Sequence, residues 1–240
     1  MLRSLAAVIA CAGALAIAQV PFPAFGATGQ ALSLRFALGH GRPVYIDVEG
    51  KLGADVRVYG VKNRNTLDLE AQPDDALIGH VQVRQWAASD GVHIAVERRP
   101  GDQPSWFWQR HDVHVSVHLP ADTTLTLSAV NGPIHVDSVT APLTVNLVNG
   151  PISVENAGAV LSLKTVNGPI TAEVTEMTRT PAIFLQVTNG PIQLTVPHGF
   201  RAIVDAHAMM GPVDDGLTHS DGPGRVDAHV LTGPITLSES

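Results

Sequence analysis

Across 240 residues the chain has 15 basic against 22 acidic side chains and a formal net charge of −7, which argues against the basic clusters of a nucleic-acid footprint. Its one cysteine, Cys11, lies in an apolar N-terminal stretch. A mature chain lacking that stretch has no disulfide and no thiol chemistry, so its fold must hold by packing alone.

Met1 to Ser4 carries one positive charge, and Leu5 to Ala18 is an unbroken run of apolar and small residues. That is the pattern of a signal peptide, too short for a comfortable membrane span. Small residues at Ala24 and Gly26 predict cleavage after Gly26 or Ala27, with Ala16-Ile17-Ala18 as an earlier competing site. Val8-Ile9-Ala10-Cys11 loosely matches a lipoprotein box, but strongly apolar sequence continues beyond it. The expectation is export to the periplasm, the cell surface or the medium. Without Arg3 the mature chain has 14 basic and 22 acidic residues, about −8, and no second apolar run of membrane length.

Residues 27–120 alternate in the manner of strands. Leu32, Leu34, Phe36 and Leu38 form one apolar row, Val44, Ile46 and Val48 another, and Val92, Ile94 and Val96 a third. Ser89-Asp90-Gly91 predicts a hairpin joining Gly79–Trp86 to Val92–Arg98. Ser105-Trp106-Phe107-Trp108 gathers aromatics suited to plugging the open end of a core, or to stacking on a sugar. His114 and His118 share one strand face with Asp112, about 13 Å apart at the usual rise, too far for one metal.

From residue 121 the chain repeats. Asn131-Gly132-Pro133-Ile134 returns as Asn149-Gly150-Pro151-Ile152, Asn167-Gly168-Pro169-Ile170 and Asn189-Gly190-Pro191-Ile192. Met210-Gly211-Pro212-Val213 and Thr232-Gly233-Pro234-Ile235 are weaker copies. Six residues before each motif the column reads Leu125, Leu143, Leu161, Ile183, Val204, Val226, and the neighbouring positions are mostly polar. A second short strand follows each motif. One such unit cannot bury its apolar row alone, whereas stacked units can. The expectation is an all-β fold: a parallel β-solenoid (single-stranded β-helix) of about six coils over residues 121–240, capped or extended by residues 27–120. Spacings of 18, 18, 22, 21 and 22 residues put loops around Glu176–Pro181, Pro197–Phe200 and Gly216–Gly224.

The motif reads as a corner. Asn tolerates left-handed backbone, Gly reaches angles closed to other residues, and Pro sets the entry to the strand. In register, Asn131, Asn149, Asn167 and Asn189 are expected to form an amide ladder. The chain stops three residues after Leu237, so the C-terminal coil, residues 226–240, is expected to present an open edge for self-association.

A signal peptide, an irregular β segment and the units Val130–Val136, Val148–Val154, Val166–Ala172 and Val187–Leu194 together resemble the bacterial putative adhesin family. These are exported β-solenoid proteins often catalogued as a domain of unknown function. The resemblance covers about residues 30 to 237 and implies a parallel β-helical fold and an envelope or surface location. The sequence departs in having Pro after every motif Gly and in losing Asn from the last two copies.

Catalytic signatures of metalloproteases, serine hydrolases and nucleotide-binding enzymes are absent from the sequence. Asp74-Asp75 and Asp214-Asp215 read as solvated loop acids. One constellation is sharper. Asp205 and His207 occupy the same columns as Asp227 and His229, so stacking brings two carboxylates and two imidazoles to one outward patch able to take a zinc-like ion. The expected function is a non-enzymatic adhesion or interaction module without a cofactor. Its partner is expected to be a protein or polysaccharide of the envelope; a self-associating structural component and a polysaccharide-acting enzyme are the alternatives.

Overall fold

Alternating apolar and polar residues make strands with one wet face, and the apolar face must be covered by a second sheet. The computed structural model describes residues 31–39, 41–50, 52–99, 112–158, 160–175, 181–217 and 224–240. The expected signal segment and the Trp106-Phe107-Trp108 cluster lie outside the described residues. The N-terminal part supplies β1 (Leu32–Ala37), β2 (Val44–Val48), β3 (Gly53–Val61), β4 (Thr66–Pro73), β5 (Val81–Ala87), β6 (Val92–Arg98) and β7 (Asp112–Pro120), with one 3-10 turn at Asp75–Leu77. Each Gly-Pro motif then separates two strands. These are β8 (Leu125–Asn131) and β9 (Ile134–Asp137), β10 (Leu143–Asn149) and β11 (Ile152–Ala157), and β12 (Val160–Asn167) and β13 (Ile170–Val174). The series continues with β14 (Ala182–Asn189) and β15 (Ile192–Val196), β16 (Ile203–Met210) and β17 (Val213–Asp215), and β18 (Arg225–Thr232) and β19 (Ile235–Glu239).

The strands form a parallel β-solenoid with two long faces. One face runs β5, β6, β2, β8, β10, β12, β14, β18, β16. The other runs β1, β4, β7, β3, β9, β11, β13, β15, β19, β17. Among the described residues only the β1–β4, β4–β7 and β5–β6 pairings are antiparallel, the last being the hairpin expected around Gly91. Between the faces, Leu125, Leu143, Leu161, Ile183 and Val226 stack in one row and Ile134, Ile152, Ile170, Ile192 and Ile235 in another, each no more than 2 % exposed. Burying each such side chain contributes about 1.5–3 kcal/mol, so the stack is held chiefly by these rows.

The N-terminal part does more than cap the repeats. β2–β3 and β6–β7 add two rungs without a Gly-Pro motif, in parallel register with β8–β9. Beyond them the antiparallel strands β1, β4 and β5 close that end over Leu67, Leu69 and Leu77, all fully buried.

At the other end the rungs are out of sequence order. β18 lies between β14 and β16, pairing Val226 with both Ile183 and Val204, and β19 lies between β15 and β17. Residues 226–240 are therefore an inner rung, which corrects the expectation of an open C-terminal edge. The open edge belongs to β16–β17. The physical reason is legible in the inward columns. Where other rungs place Val136, Val154, Ala172, Leu194 or Leu237, β17 places Asp215, and a carboxylate in mid-stack is costly to bury. The segment at Pro197–Phe200, expected as a protruding loop, connects rungs that are not adjacent, whereas residues 176–180 and 218–223 of the loops expected at Glu176–Pro181 and Gly216–Gly224 lie outside the described residues. Phe200, Ala202 and Leu217 are buried in the core.

Candidate functional site

Each Gly-Pro corner is built by contact with the next rung. Asn149 Nδ2 donates to Asn131 Oδ1 at 3.0 Å, Asn167 to Asn149 at 2.8 Å and Asn189 to Asn167 at 2.9 Å. Asn131 begins the ladder by donating to the Gly50 carbonyl at 3.1 Å. The next rung in space offers Thr232 and then Met210, so the amide ladder stops at Asn189. Main-chain bonds follow the same rule: Gly150 N–H donates to Asn167 O and Ile152 N–H to Pro169 O. Proline carries only the acceptor of its pair, so its missing N–H costs the ladder nothing. Gly168 has φ 143°, and a Cβ built there meets the Gly150 carbonyl oxygen at 2.1 Å. Stacked main chain leaves no room for a side chain. Gly132, Gly190, Gly211 and Gly233, with Pro133, Pro151, Pro191, Pro212 and Pro234, repeat this corner along the stack, each of these prolines immediately preceding the second strand.

A second polar corner had no repeat to announce it in the sequence. Asn156, with φ 50°, donates to Asp137 Oδ1 at 3.0 Å across a rung, and Ser138 adds a 2.8 Å bond from its hydroxyl. The Asn156 amide, with help from Ser138, holds the Asp137 carboxyl below its usual range.

The Asp/His columns lie on the outer face at the open end. Asp205 is in register with Asp227 and His207 with His229. Asp205, Asp227 and His229 bring one ligand atom each within 4.8 Å of one another, while His207 stands outside that group. Sequence spacing did not single out Arg225. Its Nε donates to both Asp227 oxygens at 2.7 Å and its guanidinium lies 3.9 Å from Asp205. Any cation on Asp227 has to displace that guanidinium, so the arrangement works first as an ion-pair cluster. Phe184, the bulky outward residue of its column, lies 6.5 Å from the His229 ring and under the Lys164 ammonium at 5.1 Å. A shallow groove lined by Leu143, Leu161, Phe184, Arg225 and Asp227 runs beside the cluster.

Toward the capped end the outer faces carry rings. Trp86, His93 and Tyr45 stack across three strands with centroids 5.3 and 4.5 Å apart. On the opposite face Tyr59 stacks on His118 at 5.0 Å, and His114 reaches Asp55 at 3.4 Å. These rings cover one another's faces, which suits a strand-to-strand brace better than a platform for a flat ligand. Asp68 is gripped by Arg35 through two bonds of 2.6 Å and by Arg64. The Arg35 bonds, with the charge of Arg64, hold its carboxyl below the usual range against partial burial. Asp74, expected in a loop, accepts from the Asp112 N–H at 2.9 Å, whereas Asp214 and Asp215 belong to β17.

No protein-family profile matches the chain, and no curated protein is similar to it. A solved structure shares its fold. A structure described as a putative cell adhesion protein from Clostridium sporogenes superposes with a TM-score of 0.51 at 10% identity, covering 88% of this chain and 100% of that one. One described as a putative adhesin from Bacteroides fragilis gives 0.43 at 11% identity, covering 89% and 98%. Identity this low speaks for the fold alone: the chain is built like the protein described as a putative cell adhesion protein.

Proposed function

We propose that this chain is an exported, non-enzymatic β-solenoid that serves as an adhesion or interaction module, holding a protein or polysaccharide of the cell envelope along its outer faces. The observation that carries the reading is the outer row His135, Ser153, Thr171, Gln193, Thr236, held in register by successive parallel strands. Thr126, Thr144 and Ser162 make a comparable row on the other face. Neutral donors and acceptors repeated about every 4.8 Å suit an extended, repetitive partner gripped at many weak points. Acidic groups that an enzyme would need to converge are instead paired with arginines, as Asp68 is with Arg35 and Arg64, Asp227 with Arg225, and Glu97 with Arg84. The likeness in fold to the protein described as a putative cell adhesion protein agrees with this reading.

The test is a binding and turnover screen of residues 27–240 against envelope polysaccharides and envelope extract. Saturable binding without product is expected. Thr171→Lys with Gln193→Lys, both at exposed outward positions, is expected to weaken binding about tenfold by breaking the row. Turnover of any polysaccharide contradicts the non-enzymatic reading, and unchanged binding by the double variant moves the site off this face.

A further inference from the structure

The solenoid's two ends differ, and the difference points to a second copy of this chain as the partner of one of them. At the N-terminal end antiparallel strands cover the last rung. At the other, among the described residues, β16 pairs on one side only, with β18. Ile203 N–H donates to Gly224 O. The alternation of a parallel ladder then turns the N–H and C=O of Val204, Ala206 and Ala208 away from β18, into the open edge. Large apolar side chains cluster on this rung: Ile203, Met209, Met210 and Val213 are 56, 69, 65 and 42 % exposed. An edge of this kind is a template for another strand.

We infer that β16 pairs with β16 of a second copy, antiparallel, about a two-fold axis at Ala206. Three considerations select this arrangement over others. A period of two requires inward residues to meet inward residues, which excludes half of all registers. Among the rest, centring on Asp205 sets that carboxylate against its own copy, and centring on His207 sets imidazole against imidazole, with Asp205 opposite Met209. Centring on Ala206 instead places Asp205 opposite the second copy's His207, Ile203 opposite its Met209, and Val204 opposite its Ala208. These outward pairs fall at the non-hydrogen-bonded positions, where side chains approach closest. Val204, Ala206 and Ala208 then supply about six main-chain bonds between the copies. Asp205 and His207 are both exposed, and the Arg225 guanidinium 3.9 Å from Asp205 brings a positive charge to the same face. β17 carries the carboxylates Asp214 and Asp215, whose like charges disfavour pairing of that strand with its copy, so pairing is confined to the β16 half. The contact is small, and its affinity falls at the weak end of specific association.

This pairing stands apart from the adhesion reading and is tested without any ligand. Because the mature chain has no cysteine, residues 27–240 carrying Asp205→Cys can be mixed with the same chain carrying His207→Cys under mild oxidation. The mixed disulfide is expected to dominate, since only that pair falls within disulfide reach. Sedimentation of the unmodified chain should show a concentration-dependent dimer. Ala206→Pro removes donors that face outward, so the monomer keeps its circular dichroism while dimerisation weakens about tenfold or more. Should that variant fail to fold, His207→Asp places carboxylate against carboxylate and is expected to have the same effect. A chain that stays monomeric to about 1 mM overturns the inference, as does a dimer indifferent to the variants or same-site disulfides forming as fast as mixed ones.

Discussion

At the residue scale the fold rests on groups that no neighbour can replace. Gly168 is confined both by its φ of 143° and by the Gly150 oxygen 2.1 Å from any Cβ. Gly168→Ala is therefore expected to destabilise the chain by about 3 kcal/mol, read from chemical denaturation. Asn167 both donates and accepts in the ladder, so Asn167→Ala should cost about 2 kcal/mol, and Asn189→Ala, at the ladder's end, about half as much. Asp68 offers a pH test. Its folded pKa is depressed, so its contribution is present above the unfolded value of about 3.9 and is lost as pH falls through the folded one. Asp68→Asn should cost about 1 kcal/mol at neutral pH, and the gap from the parent chain should close in acid. For the Asp205, His207, Asp227 and His229 columns the competitor of a metal is Arg225. Zinc titration is expected to release more heat from Arg225→Gln than from the parent chain; equal heats would remove the cluster as a zinc site.

At the element scale much of the fold was legible because period-2 alternation and a fixed corner leave few ways to stack. The inward row from Leu125 to Ile183 and the ladder from Asn131 to Asn189 follow from counting alone. The order of the last two rungs was legible only in part. Counting back from each motif returns Val204 and Val226 as equivalent, and chain order then suggests that the later one ends the stack. The discriminating residue lies in the other strand, where Asp215 takes a place held elsewhere by Val136, Val154 or Leu194. Arg225 was not legible in the sequence because it begins β18 and reaches forward to Asp227, a contact that column matching of Asp and His does not show. The stacked rings of Trp86, His93 and Tyr45 join strands whose order no repeat announced. One consequence separates the two orders. Deleting residues 226–240 removes an inner rung, so β16–β17 should lose the rung it pairs with and become protease-sensitive, with cleavage after Arg201 in limited trypsin digestion. If those residues formed the outermost rung, the truncated chain would keep 203–215 protected.

For the whole molecule, a capped end and an open end give the solenoid polarity: long polar faces for a partner, and one terminal edge. No helix among the described residues is long and apolar enough to cross a membrane. Faces, corners and edge all depend on the rung order, in which β18–β19 is inserted before β16–β17. Hydrogen exchange resolved to single amides, in dilute protein, tests that order most directly. The amides of Val226, Ala228 and Val230 should exchange as slowly as the core, and those of Val204, Ala206 and Ala208 close to the rate of exposed backbone. The reverse ranking, with β18 fast and β16 slow, would put the rungs back in sequence order and contradict the account.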